Sequence, residues 1–269
     1  MRAEQVIKEN VSGGLLARIP KPLHGWLIPL AITLCWELVA DLGLLSPNLL
    51  PAPSRIIGQY ARLAASGELF EHLGISFYRA FLGFVLGTAA GLLLGLFSGL
   101  GKIAERTLDP SLQMLRTIPL LSLIPLFILW FGIGEFSKVL MISLGAFFPV
   151  YINTFSGIRS VDVKLIEVAR LFQYSKMQLV AKLIIPAAMP NLLLGLRLAI
   201  GASWLVLVVA EMMGTSSGIG YMIQDARAYS QTDIVFVGIT IFAIIGKLSD
   251  SLVRLLERRW LRWRDTFTG

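Results

Sequence analysis

Six stretches of this 269-residue chain are apolar for about as long as a lipid bilayer is thick: residues 23–42, 75–99, 111–131, 138–157, 189–213 and 233–253. A bilayer core takes roughly 20 mostly apolar residues per helix, and inside it every backbone amide must find its partner within the protein. The chain is therefore predicted to be an all-α membrane protein with about six transmembrane helices. Its composition agrees: 55% of residues are hydrophobic and 15% charged, with a mean hydropathy of +0.73, whereas soluble domains carry about 25% charged residues. Pro119, Pro125 and Pro149 fall within the predicted spans and imply kinks there. The first apolar run is too long for a cleaved leader and lacks a small-x-small exit.

Lysine and arginine orient the spans. Residues 1–22, 100–110, 158–188 and 254–269 hold 4, 2, 5 and 5 basic residues, 16 together, against 3 in the alternate loops 43–74, 132–137 and 214–232. By the positive-inside rule both termini and the 158–188 loop face the cytoplasm. The net charge of +7 is thus spent beside span ends, and nucleic-acid binding need not be invoked. The domain division that follows is a cytoplasmic segment 1–22, a transmembrane domain 23–253 and a basic cytoplasmic segment 254–269. A single cysteine, Cys35, excludes an internal disulfide, and His24 and His72 lack the spacing of metal ligands, so no metal site is expected.

Within the second span Gly83, Gly87, Gly91, Gly95 and Gly99 recur at every fourth residue. On a helix they form one face without side chains, along which a second helix can approach closely. In the outer loop after Pro53, Ser54 is placed to cap a short amphipathic helix carrying Ile56, Ile57, Tyr60 and Leu63. The loop 214–233, rich in small and aromatic residues, fits either a short helix dipping against the bundle or a solvated turn.

The cytoplasmic loop is different in kind. Between Asp162 and Phe172 the apolar residues Leu165, Val168, Ala169 and Phe172 share a helical face, with Lys164, Glu167 and Arg170 on or beside the other. Helices that lie on lipid usually present a wholly basic polar face. Fixed charges of both signs beside apolar residues suit a protein groove better. Tyr174 and Ser175 are predicted to break this helix, with a second one running from Met177 to Ile185, so that the loop forms a rigid knob.

The spacing Glu167-x-Ala169-x(16)-Pro186, with Leu183 and Ile185 just before the proline, resembles the EAA loop of ABC importer permeases. In that family the loop holds the coupling helix, which docks into a groove of the ATPase subunit. The resemblance implies coupling roles for Leu165, Glu167, Val168, Ala169, Arg170, Phe172, Gln173, Tyr174 and Ser175. The sequence departs from the pattern at Val168, where alanine is usual, and at Gln173, where glycine is usual; without glycine the turn is expected to move to Tyr174 and Ser175. LDPSLQMLRTIPLLSLIPLFILWFGIGE (108–135) and VAEMMGTSSGIGYMIQDAR (209–227), among other segments, are similar to the nitrate, taurine and sulfonate group, most of all to its aliphatic-sulfonate permeases. This implies the type I importer permease fold, a bacterial inner-membrane location, a permease homodimer, two ATP-binding cassette subunits and an extracytoplasmic solute-binding protein. No G-x-x-x-x-G-K-[ST] occurs in the chain, so no cofactor is expected on it, and ATP with Mg²⁺ belongs to the partner ATPase.

Charged residues within spans cost about 2.5–3.5 kcal/mol each on insertion scales and usually face protein or water. Arg116, Lys138 and Lys247 lie close enough to span ends to snorkel, and Glu37 and Glu211 sit toward outer ends. Arg79 and Arg197 are the candidates for an anion path, with an interhelical ion pair as the alternative for each. Ser122, Ser143, Asn153 and Ser203 either line that path or bond backbone groups between helices. The rival class, a secondary transporter or channel, would more often show an internal repeat and has no use for the cytoplasmic knob. A nitrate or taurine permease is the alternative within the group.

Overall fold

The computed structural model describes residues 24–44 and 46–260, with side chains from residue 27 onward. The predicted N-terminal segment 1–22 and the end of the C-terminal one lie outside the described residues. All elements described are helical: α1 (His24–Asp41), α2 (Pro53–Ser66), α3 (Glu68–Leu100), α4 (Lys102–Arg116), a 3₁₀ turn (Leu120–Leu123) leading into α5 (Ile124–Phe131), α6 (Glu135–Arg159), α7 (Val163–Leu171), α8 (Lys176–Leu179), a π-helical turn (Val180–Ile184), α9 (Ile185–Met212), α10 (Ile219–Ala228) and α11 (Thr232–Trp260).

Four helical stretches among the described residues are long and apolar enough to cross a membrane: Glu68–Leu100, Glu135–Arg159, Lys176–Met212 and Thr232–Trp260. A fifth is the pair Lys102–Arg116 and Leu120–Phe131, which is bent by 86°. The prediction of one kinked helix over 111–131 is thereby corrected to two helices. Pro119 provides the reason: a proline drives the residue before it out of the α region, so α4 ends at Arg116, and Pro119 itself is extended (φ −60°, ψ 116°). Pro125 then sits at the start of α5, where a missing N–H costs nothing. The first predicted run forms α1 but falls short of the same measure, with Glu37 and Asp41 near its end.

At the centre of the packing is α6, which lies between α3 and α9. The glycine face of α3 meets α6 so closely that a methyl group at Gly91 would stand 2.7 Å from the carbonyl oxygen of Phe147, and one at Gly95 2.7 Å from Thr154. At Gly87 an added carbon would overlap the Ser143 carbonyl; Gly83 and Gly99 face Ile142 and Ile158 of the same helix. On its other side α6 meets α9 through Gly157, against Ala188 and Asn191, and through Gly195, against Asn153. Small residues here let backbones approach, and dispersion contacts replace the hydrophobic drive that lipid cannot supply.

The outer helix α2 begins two residues earlier than its sequence suggests. Ala52 takes the N-cap position, Pro53 follows, and the Ser54 amide donates to the Glu37 carboxylate at 3.0 Å, so a side chain of α1 does the capping expected of Ser54. Ile56 and Leu63 pack with Ile219, Met222 and Ile223 of α10 and with Ile234 and Val237 of α11. The 214–233 loop contains a buried helix, α10, rather than a solvated turn.

Candidate functional site

The 158–188 loop is built from two capped helices. Asp162 accepts from the Lys164 amide at 2.9 Å and starts α7. The turn predicted at Tyr174 and Ser175 lies instead at Phe172 and Gln173. Gln173 adopts a left-handed conformation (φ 57°), its amide donates to the Arg170 carbonyl at 2.9 Å, and the Tyr174 amide donates to the Ala169 carbonyl at 3.1 Å. These are the paired bonds of a Schellman cap, which satisfy carbonyls the helix end would leave orphaned and so offset the strain of a non-glycine residue. Ser175 is the N-cap of the next helix, in a capping box with Gln178, so α8 begins at Lys176 rather than Met177. Gln173→Gly should relieve the strain and stabilise the loop by about 0.5–1 kcal/mol. The readout is slower hydrogen exchange at the Tyr174 amide; faster exchange would show that the glutamine side chain holds the turn.

Helical phase separates the apolar residues of α7 more finely than the sequence did. Ala169 is buried against the protein, whereas Val163, Leu165, Val168, Leu171 and Phe172 are exposed, Phe172 by 74%. Glu167 and Arg170 are exposed beside them, and Lys182 lies over the Tyr174 ring at 5.9 Å. The base of the knob is fixed by Ile158, Ile184 and Ala188 and by Arg159, which donates to Glu105 of α4 at 2.5 Å. The loop thus presents an apolar strip edged by charges of both signs on a rigid support.

At the opposite end of the long helices is a buried charged cluster. Arg79, 2% exposed, forms two bonds of 2.6 Å to Glu135 and one of 2.8 Å to Glu211. Glu211, 1% exposed, also accepts from Ser76 Oγ at 2.7 Å and from the Gly220 amide at 2.9 Å. Lys138 donates to Glu135 at 3.0 Å, and the Gly218 amide donates to Nδ1 of His72 at 3.1 Å. The cluster ties α3, α6 and α9 to the start of α10, and the guanidinium of Arg79 is fully occupied by the two carboxylates and by the carbonyl and hydroxyl oxygens of Ser217. Glu135 was not singled out in the sequence; its signal was a carboxylate at the outer end of a span, balancing Arg79 and Lys138.

The other path candidates do not converge with it. Arg197 donates to Asp250 of α11 at 2.6 Å, and Asp250 also accepts from Arg254 at 2.8 Å. Ser122 donates to the Pro119 carbonyl, Ser143 to Leu140, Asn153 to Pro149 and Ser203 to Ala199, all at 2.7–2.9 Å within their own turn. Of the three arginines that the sequence places in spans, Arg116 alone has no carboxylate partner among the described residues.

Residues 87–262 match the family described as the inner membrane component of binding-protein-dependent transport systems. The chain is 58% identical to the putative aliphatic sulfonates transport permease protein SsuC of Bacillus subtilis (strain 168), over 92% of this chain and 90% of the relative. It is 48% identical to the protein of the same description in Escherichia coli (strain K12), over 90% of this chain and 92% of that one. A solved structure described as an amino acid ABC transporter with histidines superposes on 76% of this chain and 96% of its own with a TM-score of 0.60 at 21% identity, a likeness of fold. The helical order, the projecting loop and these similarities converge: this chain belongs to the family of binding-protein-dependent transport system inner membrane components.

Proposed function

We propose that this chain is the permease subunit of an ATP-driven importer of aliphatic sulfonates in a bacterial inner membrane, with both termini cytoplasmic. In this reading two copies form the translocation path, two ATP-binding cassette subunits carry ATP and Mg²⁺, and an extracytoplasmic binding protein delivers the substrate. The substrate assignment rests on the 58% identity to a permease described as acting on aliphatic sulfonates.

Coupling rests on the exposed strip of α7. Closure of the ATPase subunits moves α7, whose cap is continuous with the 37-residue stretch Lys176–Met212. At 1.5 Å per residue that stretch is roughly 55 Å long, enough to carry a displacement across the bilayer. Its far end is clamped by Glu211 to Arg79. Its near end contains the π-helical turn Val180–Ile184, just before Pro186, where the ladder of backbone bonds is already loosened. Motion entering at the knob is therefore expected to bend the helix at 180–184 and tilt the remainder as a rod.

The test is recovery of the ATPase. Phe172→Ala should weaken the contact by about 2 kcal/mol, roughly thirtyfold in affinity, through lost burial of an aromatic anchor. Glu167→Lys should reduce it similarly by reversing a charge at the rim. Both changes lie outside the bilayer and should leave insertion intact. Wild-type recovery of the ATPase by both variants, with wild-type uptake, would remove the docking role of α7.

A further inference from the structure

The break in the third predicted span leaves a hollow that none of the preceding assignments uses. A cavity of about 540 Å³ lies between the 116–121 break, the middle of α6 and the outer half of α9, within the size range of small-molecule sites. Its walls are apolar, with Leu121, Phe148, Ala202 and Leu205 among them, and Arg116 is the one charged residue that lines it. Leu144 and Phe148 in the same wall stand near the centre of α6, so the hollow opens at mid-depth of the bundle. We infer that this cavity receives the substrate during passage, with Arg116 holding the sulfonate head and the wall of Phe148, Ala202 and Leu205 holding the aliphatic chain.

Charge and shape both point to an amphiphilic anion. Arg79 and Arg197 have their charges neutralised by Glu135, Glu211 and Asp250, so neither offers a free cation. Arg116 is exposed and forms no ion pair among the described residues. A guanidinium fork matches the oxygens of a tetrahedral oxyanion head, as it does those of phosphate, and apolar walls strengthen its field by excluding water. A purely apolar ligand would leave the arginine unused, and a short polar anion would leave most of the wall uncovered. The break itself lets this happen at mid-depth of the bundle, since non-helical backbone inside a membrane protein is tolerated where it lines a cavity.

This inference rests on the proposed sulfonate transport, and its test separates the two. In proteoliposomes holding the complete transporter, ATP-dependent uptake of ethanesulfonate and octanesulfonate is compared between wild type and variants. Ala202→Phe should shorten the chain pocket and lower octanesulfonate uptake relative to ethanesulfonate by about tenfold or more, the scale on which apolar pockets discriminate methylene groups. Leu205→Trp, at a position 73% exposed, should act in the same direction and serves if the first variant does not assemble. Arg116→Gln should reduce uptake of both sulfonates, with partial rescue by Arg116→Lys. If the wild type carries both sulfonates and neither wall variant alters their ratio, the cavity is not the chain site. Equal loss of both with dissociation of the two copies would make it a subunit interface, and loss of co-purifying phospholipid with unchanged uptake would make it a lipid site; either overturns the inference. A wild type that carries neither sulfonate refutes the substrate assignment, and the cavity's proposed role with it.

Discussion

Gly87→Ala should reach the membrane and yet fail to give a stable folded protein. The added carbon would stand far inside contact distance of the carbonyl oxygen of Ser143, and a backbone atom cannot swing aside as a side chain would. Relief requires α3 and α6 to separate, which also loosens the contacts at Gly83, Gly91 and Gly95 along the same seam. Overpacking of a single core site costs about 1–3 kcal/mol, and a shift of two whole helices should exceed that range. Thermal unfolding in detergent measures it, with Gly74→Ala as the control. Gly74 lies on the same helix but has nothing within 4 Å of an added carbon, so alanine there should be neutral or stabilise by about 0.5–1 kcal/mol through better helix propensity. Equal melting of the two variants would mean that α3 and α6 do not touch along this face.

Arg79→Met should destabilise the outer half of the bundle by about 3–5 kcal/mol, the cost of leaving a buried charge without its counterion. Glu211 is the group left behind, 1% exposed and retaining only Ser76 and the Gly220 amide. Glu135 is less affected because its side chain is 58% exposed and keeps Lys138. The charge-neutral double variant Arg79→Met/Glu211→Gln should recover a large part of the loss, since an amide at 211 can still accept from Ser76 and Gly220. A double variant no more stable than the single one would show that packing around the arginine stem, rather than pairing, carries the effect. Loosening of α10 from α3, seen as faster exchange of the Gly220 amide, should accompany the single substitution.

The 158–188 loop shows how far local pattern reaches. Apolar spacing and mixed charge between Asp162 and Phe172 were enough to expect the helix found at Val163–Leu171. The turn was misplaced because glutamine is a poor left-handed residue when judged alone. What makes it tolerable at 173 is a pair of hydrogen bonds to Ala169 and Arg170, which exist only once α7 has formed. Ala169 was grouped with Leu165, Val168 and Phe172 because all four share one arc of the helix. The base of the loop divides that arc, burying the alanine and leaving the larger side chains outside.

The sequence by itself determined that this chain lives in lipid, that its elements are helices, where most of them run, and that α3 carries a bare face for another helix. Those properties depend on residues close in the chain: hydropathy over a span, a four-residue period, prolines that end a helix. Tertiary structure alone decided that the bare face meets α6, that Arg79 answers Glu135 and Glu211, that Arg197 answers Asp250, and that Arg116 answers no carboxylate among the described residues. The physical reason is that a charge in a span announces only the need for a partner. Which partner it finds depends on helices more than 50 residues away in sequence (Arg79 with Glu135, Arg197 with Asp250) and on the rotation at which they pack. The 86° bend at Pro119 belongs to the same class, because proline dictates that the helix stops, while the packing of α4 and α5 against their neighbours sets the direction in which the chain resumes.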